Sequence, residues 1–204
     1  GMSEDDLVDV IPPYEAIIVR SATKVTCRVL EAGKNLKVVA RGGIGLDNID
    51  CDTAEEKGIT VVNTPRAASL SVAELTIGLM FAASRKIAMA DAGLKSGKWL
   101  KKECEGCELG GKTLGIVGTG GIGQSTARLA IALDMTVIAT KKDLSSIPPE
   151  LKELGVEVLP LDELLARSDY VSLHLPKTED SAGLFGEEQF KKMKDGAIFI
   201  NCSR

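Results

Sequence analysis

The chain reads as an α/β protein built on parallel sheets, and three observations carry that reading. Short apolar runs recur along it, at Ala16–Val19, 36–40, 59–62, Thr113–Val117, 136–139, 156–159, 170–175 and 197–201, each bounded by turn-forming residues. Segments with apolar residues at helical spacing separate them, the pattern of strands paired in parallel with helices on their faces. Between one such strand and one such helix lies Gly118-Thr119-Gly120-Gly121-Ile122-Gly123, which satisfies G-x-G-x-x-G.

Taken in order, residues 4–11 carry Leu7, Val8 and Ile11 at helical spacing behind Ser3, an N-cap residue, and Pro12-Pro13 stops the helix. The strand Ala16–Val19 opens onto the polar stretch Arg20-Ser21-Ala22-Thr23-Lys24. Residues 25–32 read as a helix ended by Gly33, 36–40 as a strand, and Arg41-Gly42-Gly43-Ile44-Gly45 as a glycine-rich turn. A helix at 53–57, ended by Gly58, leads to the strand 59–62. Asn63-Thr64-Pro65 breaks the pattern. From 69 to 96 there follows one proline-free segment rich in Ala, Leu, Met and Ile, which predicts a single helix roughly 40 Å long. It is apolar on most sides, which implies burial between domains or subunits. A polar connector at 101–111 leads to the strand Thr113–Val117, the glycine turn, a helix at 124–133 and a strand at 136–139. Helices at 149–154, Leu161–Arg167 and 187–193 then alternate with strands at 156–159, 170–175 and 197–201.

Composition is that of an ordinary globular protein: 44% hydrophobic and 26% charged residues over 204 positions. The net charge of −4, with signs interspersed, argues against a general nucleic-acid surface. No apolar run reaches membrane-spanning length, and MSEDDLVD does not resemble a signal peptide. Gly1 ahead of Met2 reads as the remnant of an expression tag. Five cysteines without regular spacing imply reduced thiols and a cytoplasmic location. Cys104 and Cys107 have the spacing of a redox or metal pair, but no second pair or nearby histidine accompanies them; they read as loop residues, and no metal is expected.

Each glycine of the turn has a task at a dinucleotide site. Gly118 permits the tight exit from the strand, Gly120 lets a pyrophosphate approach bare backbone, and Gly123 lets the helix pack on the strand. The helix then presents free N–H groups and the positive end of its dipole to the phosphates.

The motifs IVRSATKVT, VVARGGIGLDNID, GITVVNTP, SVAELTIGLM, SGKW, GKTLGIVGTGGIGQ, DYVSLHLPKTEDSAGLF and MKDGAIFINCSR occur in that order along nearly the whole chain. With them the sequence resembles the D-isomer-specific 2-hydroxyacid dehydrogenases, nearest to their phosphoglycerate-oxidising branch. The resemblance implies a partial flavodoxin-like substrate domain at 1–63 and a Rossmann-type cofactor domain at 64–204, incomplete at its C-terminus. By the same comparison, the first strand and helix and everything after Arg204 are missing.

The resemblance also implies roles for individual residues. Arg204 matches the family's catalytic arginine, whose planar guanidinium holds the substrate's carboxylate and carbonyl oxygens. Gly118, Gly120, Gly121, Ile122, Gly123, Lys141, His174, Leu175, Pro176, Cys202, Ser203 and Ile44 match cofactor-binding positions. Arg20, Ser21, Thr23, Arg41, Gly43 and Ile44 match positions near the substrate; Arg20 and Arg41, with Lys24 a weaker candidate, would attract a phosphorylated acid. His174 belongs to the family's H-x-P motif beside the cofactor and is not its catalytic histidine. That histidine and its glutamate partner lie beyond Arg204, so the chain as it stands is expected to bind but hardly to turn over.

One position departs from the pattern. NAD-dependent members carry an aspartate after the second cofactor-domain strand, where Lys141 and Lys142 stand here. A lysine pair could instead bind a 2′-phosphate, so either NAD or NADP is expected, with NADP tolerated or preferred; alternatively Asp143 reaches back to the ribose. The implied reaction is oxidation of 3-phosphoglycerate to 3-phosphohydroxypyruvate, at the entry to serine biosynthesis. A glyoxylate or hydroxypyruvate enzyme, or a non-catalytic dinucleotide-binding or interaction protein, is the alternative. The partners expected are a small 2-hydroxy acid and a second copy of the chain, a homodimer formed through the 69–96 helix and the cofactor domain, with neither nucleic acid nor membrane.

Overall fold

The computed structural model of the protein describes residues 2–203, and the chain divides into two compact units, Gly1–Ala68 and Ser69–Arg204. In the first, strands β1 (Ala16–Val19), β2 (Val38–Arg41) and β3 (Thr60–Asn63) pair in parallel in that order, with Ile18, Ala40 and Val62 in one cross-strand row. Helices α1 (Glu4–Val10), α2 (Cys27–Ala32) and α3 (Cys51–Glu56) connect them. Ser3 caps α1 in a reciprocal box: its hydroxyl accepts the Asp6 N–H at 3.2 Å, and the Asp6 carboxylate accepts the Ser3 N–H at 3.0 Å. Leu7, Ile11, Val19, Val29, Leu30, Val39 and Ala54 form the core of this unit against one face of the sheet. The opposite face is open: Ile18 is 80% and Val62 44% exposed. The helix expected at 25–32 begins only at Cys27, because Val25 forms a parallel bridge with Ile49. The one expected at 53–57 begins earlier, at Cys51, because the Asp50 carboxylate caps it by accepting the Thr53 N–H at 3.0 Å.

In the second unit α4 (Ser69–Ser84) and α5 (Ile87–Lys95) precede β4 (Thr113–Val117), α6 (Gly121–Ile131), β5 (Thr136–Thr140), α7 (Pro149–Glu153), β6 (Glu157–Val158), α8 (Leu161–Arg167), β7 (Tyr170–Leu173), α9 (Glu187–Lys192) and β8 (Ile198–Asn201). The strands form one parallel sheet in the order β6-β5-β4-β7-β8. Alternate residues of the central strands enter two separate cores. Leu114, Ile116 and Tyr170 pack with Ala127 and Ala130 of α6 and Met80 of α4. Val117, Val171 and Leu173 pack with Leu164 and Leu165 of α8. Both faces of this sheet are therefore covered, as parallel sheets with crossover helices require.

The single helix expected over 69–96 is not formed. It ends at Ser84, and α5 starts afresh after Lys86, whose φ of 51° is left-handed. The cause is tertiary. The Ser84 hydroxyl sits 2.7 Å from the buried Tyr170 hydroxyl, and the Ser84 carbonyl accepts the Cys107 N–H at 3.1 Å instead of continuing the helix. The Lys86 ammonium donates to the Glu103 carbonyl at 2.7 Å. Within the chain α4 buries one side: Ala73, Thr76, Met80 and Ser84 face inward while Leu70, Leu75 and Leu79 are exposed. No helix among the described residues is long and apolar enough to cross a membrane.

Candidate functional site

In the five-stranded sheet the chain leaves β4 for β5 on one side and later returns to β7 on the other, so β4 and β7 flank the point where strand order reverses. Crevices at the carboxyl ends of strands are the usual ligand sites of such sheets, and here that position holds the glycine turn. Gly118 has φ 106°, and a Cβ on it would lie 2.5 Å from the His174 carbonyl oxygen. A Cβ on Gly123 would run into the Gly118 carbonyl oxygen. Both positions are closed to any side chain. Gly120 is different: a Cβ there would meet nothing within 4 Å, so bare backbone faces open space. No side chain caps α6 at its N-terminus, so its first N–H groups face the same space. The helix begins at Gly121, not at Gln124, so Gly121, Ile122 and Gly123 form its first turn. Room, bare backbone and a positive dipole end fit a pyrophosphate.

His174 follows β7 and its N–H donates to the Val117 carbonyl at 2.8 Å, joining the two strands at their exits. Its Nε2 lies 3.1 Å from the Ser172 hydroxyl, while its buried Nδ1 has no partner. Burial pushes its pKa down to about 4, so the ring is neutral at physiological pH. The next N–H, of Leu175, donates to the Ser203 hydroxyl at 3.0 Å, and the Thr76 hydroxyl donates to the Cys202 sulfur at 3.3 Å. The segments after β7 and β8, holding His174, Leu175, Pro176, Cys202 and Ser203, are thereby brought to one edge.

Lys141 directly follows β5. Its ammonium donates to the Ser146 hydroxyl at 2.9 Å, and Lys142 pairs with Asp180 at 2.6 Å, both in exposed settings. Asp143, two residues beyond Lys141, is exposed. Its carboxylate accepts the Ser145 N–H at 2.9 Å and the Ser145 hydroxyl at 2.6 Å, and those bonds hold its pKa below the usual carboxylate range.

In the first unit, Arg20 follows β1 and Arg41 closes β2, at the carboxyl end of that sheet. Arg41 is buried, its Nε donating to Asn48 at 3.3 Å and its Nη2 to the Ser21 hydroxyl at 3.3 Å. None of the ion pairs among the described residues involves it. The Asn48 amide donates to the carbonyls of Arg20 at 3.0 Å and Thr23 at 2.7 Å, binding the two loops together. Asn63 donates to the Ile44 carbonyl at 2.6 Å, and Gly43 lies against the Arg41 guanidinium. Arg204 lies outside the described residues. Asn48 escapes sequence reading because its role is to tie loops distant in sequence. Ser69 escapes too: its buried hydroxyl, without a hydrogen-bond partner, lies beside Gly121. Cys104 and Cys107 are unpaired, and no group of three or more His, Cys, Asp or Glu among the described residues could hold a metal ion.

The chain is similar over its full length to the hydroxypyruvate reductase of Thermotoga maritima, at 51% identity, and covers 65% of that protein. It is 47% identical to the D-3-phosphoglycerate dehydrogenase of Archaeoglobus fulgidus, again over its full length, and spans 38% of it. Its fold superposes on an acyclic imino acid reductase (Bsp5), solved with NADPH and D-Arg, with a TM-score of 0.87 and 29% identity, covering all of this chain and 64% of the other. Residues 77–204 match the NAD binding domain of the D-isomer specific 2-hydroxyacid dehydrogenases. The glycine turn, the switch point that holds it and these matches place the chain in the D-isomer specific 2-hydroxyacid dehydrogenase family, with an NAD-binding domain as its second unit.

Proposed function

We propose that this chain carries the cofactor half and part of the substrate half of an NAD(P)-dependent oxidoreductase for D-2-hydroxy acids, with 3-phosphoglycerate as substrate. The dinucleotide, when bound, supplies the acceptor for the hydride on C2 of the hydroxy acid. The chain's own residues do the rest by holding and excluding. The turn Gly118–Gly123 and the first N–H groups of α6 hold the pyrophosphate. His174, neutral and buried, lines the site without adding charge and carries no proton in the reaction. Arg204 would hold the substrate's carboxylate and carbonyl oxygens, and in the first unit the Gly43 and Ile44 backbone N–H groups would serve the substrate's carboxylate.

The observation that carries the substrate assignment is the buried Arg41 guanidinium, which donates to the neutral Asn48 and Ser21 side chains, with Arg20 directly after β1. A buried cation hydrogen-bonded to neutral side chains favours an anionic ligand. The similarity to a hydroxypyruvate reductase supports a second reading, an unphosphorylated 2-oxo acid. Thermal shift separates the two. At equal concentration with saturating dinucleotide, 3-phosphoglycerate should raise the unfolding midpoint more than hydroxypyruvate or glyoxylate. Equal or larger shifts with the unphosphorylated acids would overturn the phosphoglycerate assignment.

Lys141 and Lys142 favour NADP, because their contacts with Ser146 and Asp180 are exposed and cost little to release. Calorimetry showing NAD bound as tightly as NADP would refute this. The exposed apolar residues Leu70, Leu75 and Leu79 of α4, with Ile87, Met89 and Leu94 of α5, support a homodimer. A monomer by light scattering would count against it.

A further inference from the structure

Two side-chain polar atoms among the described residues are buried without a hydrogen-bond partner, His174 Nδ1 and Ser69 Oγ. The second is the more informative. Ser69 is the first residue of α4 and is 7% exposed. A buried hydroxyl left unpaired is costly, and one that persists at a site usually marks a missing partner. Its surroundings say where that partner sits. A Cβ on Gly121 would come within 2.9 Å of Ser69 Oγ, so the hydroxyl is aimed at the backbone that opens α6. There the helix presents uncapped N–H groups and Gly120 leaves open space. An anion at that N-terminus would meet backbone donors from one side and the Ser69 hydroxyl from the other.

We propose that Ser69 is a cofactor-binding residue, its hydroxyl donating to a pyrophosphate oxygen of the dinucleotide held at the N-terminus of α6. The proposal rests on the dinucleotide reading of the glycine turn given above. It also accounts for Gly121: the contact that lets the hydroxyl reach the turn leaves no comfortable room for a side chain at that position. The donor is neutral, so it adds affinity without adding charge to a site already favoured by the helix dipole.

The test is calorimetric titration of the chain and its Ser69→Ala variant with ADP-ribose and with NAD⁺, alongside the unfolding midpoint of each protein without ligand. ADP-ribose carries the pyrophosphate but no nicotinamide. The expected result is about tenfold weaker binding of both ligands by the variant, the effect of one hydrogen bond to a charged group, with the ligand-free midpoint unchanged or raised. Undiminished ADP-ribose binding by Ser69→Ala overturns the proposal and leaves the dinucleotide reading intact. So does a loss confined to NAD⁺, which would place the hydroxyl at the nicotinamide end. A variant that melts several degrees lower but binds normally assigns Ser69 a structural role instead. Failure of the unaltered chain to bind either ligand would overturn the dinucleotide reading and this proposal with it. Ser69→Thr, which keeps the hydroxyl, should retain more of the ADP-ribose affinity than Ser69→Ala.

Discussion

The two sheets of this molecule are built from similar strands but kept in different company. The central strands of the five-stranded sheet are buried on both faces, one under α4 and α6 and the other under α8. The three-stranded sheet has helices on one face and leaves Ile18 and Val62 open on the other. Strand sequences alone do not reveal this. AIIV in β1 is the more uniformly apolar of the two, yet half of it is exposed while TLGIV in β4 is almost wholly buried. Composition makes a strand; what crosses over it decides how much that strand stabilises.

Substitutions can break or sharpen the contrast. The largest effect is expected at Leu114, fully buried in the five-stranded sheet. Leu114→Ala should cost about 2–5 kcal/mol in urea unfolding, the sum of lost transfer energy and the cavity left behind. Next comes His174 at the exit of β7. Its folded pKa of about 4 lies below the ordinary 6.5, so between those values the unfolded chain binds a proton that the folded chain refuses. Stability from this group is complete above pH 6.5 and falls as pH drops toward 4, by on the order of 3 kcal/mol in total. His174→Gln should flatten that part of the stability–pH profile. A profile unchanged by the substitution would show that the ring is not buried as described.

Gly123→Ala is third. Its new methyl would meet the Gly118 carbonyl oxygen, which should cost about 1–3 kcal/mol of stability and abolish dinucleotide binding. Gly120→Ala is the matched control: its Cβ has open space, so stability should hold within about 0.5 kcal/mol while dinucleotide affinity drops. The smallest effect belongs to the open face of the other sheet, where Ile18→Thr should change stability by less than about 0.5 kcal/mol. A penalty as large as that for Leu114→Ala would mean that the two sheets are covered alike in solution.

Much of the architecture was legible because it follows from local chemistry. Ser3 and the prolines after Ile11 bound the first helix. Gly118 and Gly123 announce a turn that backbone sterics alone demand, and the strands β1 and β4 lie where their apolar runs place them. The larger failures share a physical character: each depends on a partner far along the chain. The break between α4 and α5 has no proline or glycine to signal it, because Tyr170 and Cys107 make it. Asn48 and Ser69 gave no signal, since an asparagine in a turn and a serine at a helix start are ordinary on their own. Arg20, Arg41 and Lys141 were singled out by the family resemblance, and each stands at or directly after the end of a strand.

The helix break carries a kinetic consequence. The Cys107 N–H bonded to the Ser84 carbonyl, with the Lys86 ammonium on the Glu103 carbonyl, closes the segment between α4 and β4 into a loop fastened at its neck. Such a loop can form and reopen as a unit without disturbing the strands, because few of its residues belong to either core. In amide exchange the α5 backbone should therefore trade its protons faster than α4, whose inner face is locked against α6. The chain would carry a slow half and a fast half within what looked, on paper, like one rod.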